Sequence, residues 1–200
     1  MQILEACKRD LTALAPKGYF FALHIRNASP LLQEKTFHGA WIRTYEREVY
    51  ILRDPIVAWG YSHSGLTRWS AVDIPDPFDI FGQARAHGLA FGASAALGSM
   101  NSRSLVSIAH DRREFSDLEM GRFATIVRQL HDITSPPEAL TLAQANALRR
   151  ISEGERHAEA AAKLQISESA LKARLKSARV ALMARTTAEA VRRAQTYRLI

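Results

Sequence analysis

One cysteine in 200 residues leaves nothing for an internal disulfide. Cys7 also has no Cys or His close in sequence with which to hold a metal, so the chain fits a reducing compartment, with Cys7 itself a core residue of the first helix. No uninterrupted apolar run reaches the roughly 20 residues that a membrane span requires, and charges break the opening MQILEACKRDLTAL too early for a signal peptide. A cytoplasmic protein is expected. Catalytic signatures are equally scarce. GLAFGASAALG contains glycines but no Gly-Lys-Ser/Thr for a phosphate loop, and no G-x-S-x-G elbow occurs. The seven histidines are scattered without metal-ligand spacing. These absences argue against an enzyme and against a resident metal or cofactor.

What is present is apolar material and an uneven charge. At 47% hydrophobic residues the chain can bury a core. Its formal charge is +7, but from Pro137 onward twelve Lys and Arg stand against six Asp and Glu, so +6 of it belongs to the tail. A basic C-terminal third attached to a near-neutral body suggests one module that meets a polyanion and another with a different task.

The two parts meet at DITSPPEAL, residues 132–140, where Pro136 and Pro137 forbid a helix and favour an extended linker. The expected domains are therefore 1–134, a linker over 135–139, and 140–200. In the first, periodicity predicts helices over 2–14, 39–51, 77–88 and 116–133. Strands are predicted over 19–26 and 67–70, within LAFGASAAL, and over SLVSIAHD. Short connections between strands flanked by helices argue for α+β: an α/β/α sandwich on an antiparallel sheet. The tail reads as four helices, with Gly154 ending the first, Ser167 capping the third and Thr186 or Thr187 capping the fourth. A short helix, a tight turn and a longer basic helix make a helix-turn-helix.

That longer helix carries two stripes. Leu171, Leu175, Ala178 and Leu182 recur at i, i+4, i+7 spacing and predict a buried face. Ser169, Lys172, Lys176 and Arg179 repeat the spacing on a cationic face, one suited equally to solvent or to DNA.

The tail resembles the DNA-binding domain of LuxR-type bacterial transcription regulators. The residues that match include Leu140, Thr141, Glu153, Gly154, Ser167, Lys172, Leu175 and Val191. The N-terminal part resembles the autoinducer-binding domain of quorum-sensing members of that class through Trp41, Tyr45, Asp54 with Pro55, Trp69, and Gly92. The resemblance implies a cytoplasmic dimer that binds DNA in response to an N-acyl homoserine lactone or a similar small signal. Ser169, Lys172, Arg174, Lys176 and Arg179 would face DNA. Gln165 stands where the family usually has a turn glycine, which predicts a left-handed backbone at a side-chain-bearing residue.

A lactone of this class offers a ring carbonyl, an amide N–H, an amide carbonyl and an apolar tail, so its site needs donors, an acceptor and a greasy cavity. By resemblance, Trp41 would hold the ring carbonyl, Asp54 would accept from the amide N–H, and Tyr45 and Ser107 would offer hydroxyls to the amide carbonyl. Trp69 would pack on the lactone ring, with Ile56, Val57, Phe91 and Leu105 along the tail. Taken singly, these residues also fit plainer roles. Trp41 and Tyr45 make a buried helix stripe, Asp54–Pro55 opens a turn, and Gly92 permits close packing in a strand. A second function from a different class also fits the residues: an interaction protein that pairs with another LuxR-type regulator and antagonises it, with little DNA affinity of its own.

Overall fold

The computed structural model describes residues 2–25, 28–135 and 140–200. The chain forms two compact units, residues 1–135 and 136–200. Pro136 and Pro137 of the expected linker lie outside the described residues.

In the first unit the elements run α1 (Gln2–Leu14), β1 (Tyr19–Ile25), β2 (Leu32–Lys35), α2 (Gly39–Arg47), α3 (Pro55–Ser62), β3 (Gly65–Arg68), α4 (Ile80–Ala86), β4 (Phe91–Leu97), β5 (Arg103–His110) and α5 (Asp117–Thr134), with 3-10 turns at Tyr50–Leu52, Trp69–Ala71 and Met100–Ser102. The five strands form one antiparallel sheet in the order β2-β1-β5-β4-β3. Side chains alternate between its faces. Phe21, Leu23, Ala93, Ala95, Val106 and Ile108 pack against α1 and α5, together with Cys7 and Leu11 of α1 and Phe123, Val127 and Leu130 of α5. Ala22, Ala96, Leu105 and Ala109 turn to the opposite face, which α2, α3 and α4 cover. Both faces are buried, so β4 and β5 read as small-residue or apolar runs without a polar alternation.

Three features depart from the sequence expectation. The expected helix over 39–51 ends at Arg47, because Val49 takes a left-handed conformation (φ 52°) and the chain continues as the 3-10 turn Tyr50–Leu52. A β-branched residue there costs on the order of 1–3 kcal/mol. Helix α3 was not expected: PIVAWGYS has almost no polar residue, so it shows no amphipathic period. Strand β2 was not expected either, since LQEK is four residues with one apolar side chain.

Helix α5 is fastened to the sheet by two imidazoles. His24 sits at a bulge in β1 with φ 51° and is fully buried. Its Nε2–H donates to the His131 carbonyl (3.0 Å), while its Nδ1 lies 2.7 Å from the Ser102 hydroxyl. The His131 ring stands 4.4 Å from it and bonds the Ser104 hydroxyl (2.8 Å). Burial holds the His131 pKa below the ordinary imidazole value, against a smaller upward pull from Asp132. The unfolded chain therefore takes up this proton before the folded one does, and stability falls as pH drops through the unfolded value of about 6.5. Thermal melts between about pH 7.5 and about pH 5.5 should show this fall, and it should be shallower in His131→Gln. Parallel slopes for the two proteins would remove His131 as its cause.

The second unit contains α6 (Leu142–Ser152), α7 (His157–Lys163), α8 (Glu168–Ala181) and α9 (Thr187–Thr196). Capping chemistry starts three of these helices. Thr141 and Gln144 form a capping box on α6, Ser167 accepts from the Ala170 N–H on α8, and Thr186 accepts from the Glu189 N–H on α9. Ala147, Leu148, Ala160, Leu171, Leu175 and Ala194 meet in the core of this unit. Gln165, in the turn between α7 and α8, has φ 53°. Among the described residues no helix is long and apolar enough to cross a membrane.

Candidate functional site

A cavity of about 390 Å³ lies on the α2–α3–α4 side of the sheet. Its floor comes from β1 and β5, where period-2 alternation turns Ala22, Leu105 and Ser107 toward it. Its wall includes Trp41 and Tyr45, one turn apart on α2, and Ile56 and Val57 at the start of α3. Ile51 and Leu52 also line it yet remain exposed, so the cavity opens to solvent beside the 3-10 turn. Trp41, Tyr45, Asp54, Trp69 and Ser107 all border this one space, and so do Ile56, Val57 and Leu105. Phe91 does not line it: on β4 it is Gly92, Ser94 and Ala96 that lie on the same face of the sheet as Ser107 and Leu105, behind the residues that border the cavity.

The polar groups are held by specific partners. Asp54 is the N-cap of α3, with Pro55 at the first helical position, and its Oδ1 accepts from the Ile56 N–H at 2.7 Å. The Tyr45 hydroxyl donates to Asp54 Oδ2 at 2.7 Å. Burial pushes the Asp54 carboxyl pKa up, opposed by the hydrogen bonds from Tyr45 and the α3 backbone. Burial and the adjacent carboxylate push the Tyr45 phenol far up as well. Tyr45 is thus a fixed donor that orients Asp54, and its hydroxyl hydrogen is engaged within the protein. A carboxylate has about four lone-pair positions, so Asp54 retains acceptor capacity toward the cavity.

Trp41 is 5% exposed and sits among Tyr45, Tyr50 and His87, with ring centroids 5.7, 6.1 and 5.4 Å away. Its indole N–H has no hydrogen-bond partner among the described residues. The Trp69 indole N–H, by contrast, donates to Ser94 Oγ (3.0 Å), which lies 2.7 Å from Ser107 Oγ. Gly92 is what admits that indole: a Cβ built there would stand 2.1 Å from the Trp69 ring. Sequence reasoning missed Ser94. Its available signal was a serine in the buried run GASAA, directly across the ladder from Ser107.

On α8, Leu171, Leu175, Ala178 and Leu182 are buried as the periodicity requires. Ser169, Lys172 and Lys176 are exposed, and Arg179 is half-buried beside them. Arg174 is not on that face. At about 100° per residue it falls on the other flank of the buried stripe, roughly opposite the middle of the cationic one. Ser169 shares a hydrogen bond with the capping Ser167 (2.9 Å), and Arg179 Nε is buried without a partner among the described residues.

Residues 2–133 match the autoinducer binding domain, and the chain belongs to that family. It is similar to the HTH-type quorum-sensing regulator RhlR of Pseudomonas aeruginosa, with 27% identity over 169 residues that span 75% of this chain and 70% of RhlR. In fold it is similar to Escherichia coli SdiA, with a TM-score of 0.54 at 20% identity over 100% of this chain and 91% of that one. The structure of SdiA in complex with octanoyl-rac-glycerol gives a TM-score of 0.53 at 19% identity, covering 98% and 87% of the two chains.

Proposed function

We propose that this protein is a DNA-binding transcriptional regulator that responds to an N-acyl homoserine lactone or a similar small signal molecule, and that it binds DNA as a dimer. Residues 1–134 form the signal-binding domain in this reading, 135–139 the linker, and 140–200 a LuxR-type helix-turn-helix domain. One observation carries the proposal: donors and an acceptor meet beside an otherwise apolar cavity in the complement such a molecule requires. The unengaged N–H of Trp41 suits the ring carbonyl, the free lone pairs of Asp54 suit the amide N–H, and the Ser107 hydroxyl suits the acyl carbonyl. Ile56, Val57 and Leu105 supply the surface for an apolar tail. In the second unit, α7 and α8 make the short and long helices of a helix-turn-helix, with the exposed Lys172 and Lys176 on α8.

Added acyl homoserine lactones should raise the melting temperature, since a ligand that binds only the folded state at about 100 times its Kd stabilises that state by about 2.7 kcal/mol. Affinity for DNA measured against salt should then fall in Lys172→Ala and Lys176→Ala, with a salt slope shallower by about one for each phosphate no longer neutralised. A broad lactone panel that leaves the melt unchanged, from protein shown to carry no co-purified ligand, would sink the signal reading. Wild type that binds no DNA with or without ligand would leave the antagonist reading in its place.

A further inference from the structure

Trp69, Ser94 and Ser107 form a chain of hydrogen bonds from the wall of the cavity into the sheet and back to the cavity floor. The direction of the chain follows from its first member. An indole N–H can only donate, so Trp69 occupies one lone pair of Ser94 Oγ. Ser94 is 0% exposed, and among the described residues the acceptor within reach of its own hydrogen is Ser107 Oγ, at 2.7 Å. The opposite polarity would leave a hydroxyl hydrogen of Ser94 buried without an acceptor, which is the costlier arrangement. Ser107 therefore accepts from Ser94. Its hydrogen has no acceptor among the described residues, and Ser107 lines the cavity.

We infer that Ser94 is a positioning residue which, with Trp69 behind it, fixes Ser107 as a hydrogen-bond donor into the cavity, so that the ligand atom placed there is an acceptor such as an acyl carbonyl oxygen. The inference rests on the reading of the cavity as a signal site and adds a rule of selectivity to it. A rotating serine could serve donor and acceptor ligands alike. Ser107 keeps a second lone pair, so a ligand donor could still bond it, but the Ser107 hydrogen would then be left without an acceptor; only an acceptor atom on the ligand satisfies that hydrogen.

The relay and the ligand reading are separable by experiment. In ligand-free protein labelled with 15N, the Trp69 indole N–H resonance should shift in both Ser94→Ala and Ser107→Ala. If it stays in place in Ser94→Ala, the relay does not exist. For binding, the probes are N-octanoyl homoserine lactone and its thioamide, whose sulfur is a poor acceptor while its N–H is kept. Wild type should prefer the oxygen compound by roughly tenfold, the effect of one buried hydrogen bond. That preference should shrink to about twofold in Ser94→Ala and in Ser107→Ala, with no further loss in the double variant, because the two act as one unit. Full preference retained in Ser94→Ala, or additive losses in the double variant, would overturn the positioning role. Failure of wild type to bind either compound would reject the lactone reading and the selectivity rule together, while the indole resonance still decides the relay.

Discussion

Gly92→Ala is expected to destabilise the first domain by about 1–3 kcal/mol and to abolish its response to ligand. The added methyl would stand 2.1 Å from the Trp69 indole, far inside contact distance. Either the ring or strand β4 has to move. Such overpacking typically costs about 1–3 kcal/mol, and a displaced indole also gives up its bond to Ser94, worth about 1 kcal/mol. Backbone strain adds nothing, because Gly92 lies in regular strand without a left-handed φ, and the flexibility lost from the unfolded chain offsets about 0.5–1 kcal/mol of the cost. The control is Gly121→Ala in α5, where a Cβ meets nothing within 4 Å. There the loss of glycine's flexibility in a helix should stabilise by about 0.5–1 kcal/mol. Urea denaturation of the two variants should move the midpoint in opposite directions. Equal stability of Gly92→Ala and wild type would show that the Trp69 wall is softer than the packing implies.

Asp54 should separate folding from binding. In Asp54→Ala, α3 loses its N-cap, worth about 1 kcal/mol, and the Tyr45 hydroxyl loses its acceptor, at a cost of about 1–3 kcal/mol. Removing a carboxyl whose ionisation burial disfavours offsets part of this. In Asp54→Asn the carbonyl oxygen still caps Ile56 and the amide can donate to the Tyr45 oxygen, but the Tyr45 hydrogen loses its acceptor, so the melt should fall, and by less than in Asp54→Ala. The cavity would then face the ligand's N–H with another N–H. A hydrogen bond to a charged group is worth about 1.5–3 kcal/mol, so affinity should fall roughly ten- to a hundredfold. Titration calorimetry with a lactone that binds wild type measures this directly. An unchanged Kd in Asp54→Asn would mean that the carboxylate serves α3 and Tyr45 alone.

Much of this was legible in the chain because period and capping are local. Helices α1 and α5, strands β1, β4 and β5, and the Ser167 and Thr186 caps all lie where spacing and residue type put them. What stayed hidden has physical causes. Helix α3 is apolar on nearly every side, so it carries no stripe to read. The break in α2 depends on Val49 adopting a conformation that its own side chain disfavours, and only the surrounding packing can impose that. Within the site, a serine in an alanine-rich strand shows its role only when the register places it opposite Ser107. Phe91 illustrates the reverse case. Strict alternation puts it on the other face from Gly92, so one strand could not have sent both into the cavity. Helical projection alone likewise parts Arg174 from Lys172 and Lys176.

The sheet is asymmetric in side-chain size. Toward α1 and α5, β1 and β5 present Phe21, Leu23, Val106 and Ile108, with Ala93 and Ala95 of β4 beside them; toward the cavity side, Phe20 of β1 stands among Ala22, Gly92, Ser94 and Ala96. Leu105, the large cavity-side residue of β5, lies so close to Gly60 of α3 that a Cβ there would come within 2.6 Å of it. One layer of the sandwich is thus finished by the chain itself, and the other is left a few side chains short. Whatever fills the cavity takes the place of those missing side chains, as a loose keystone that the gene does not encode.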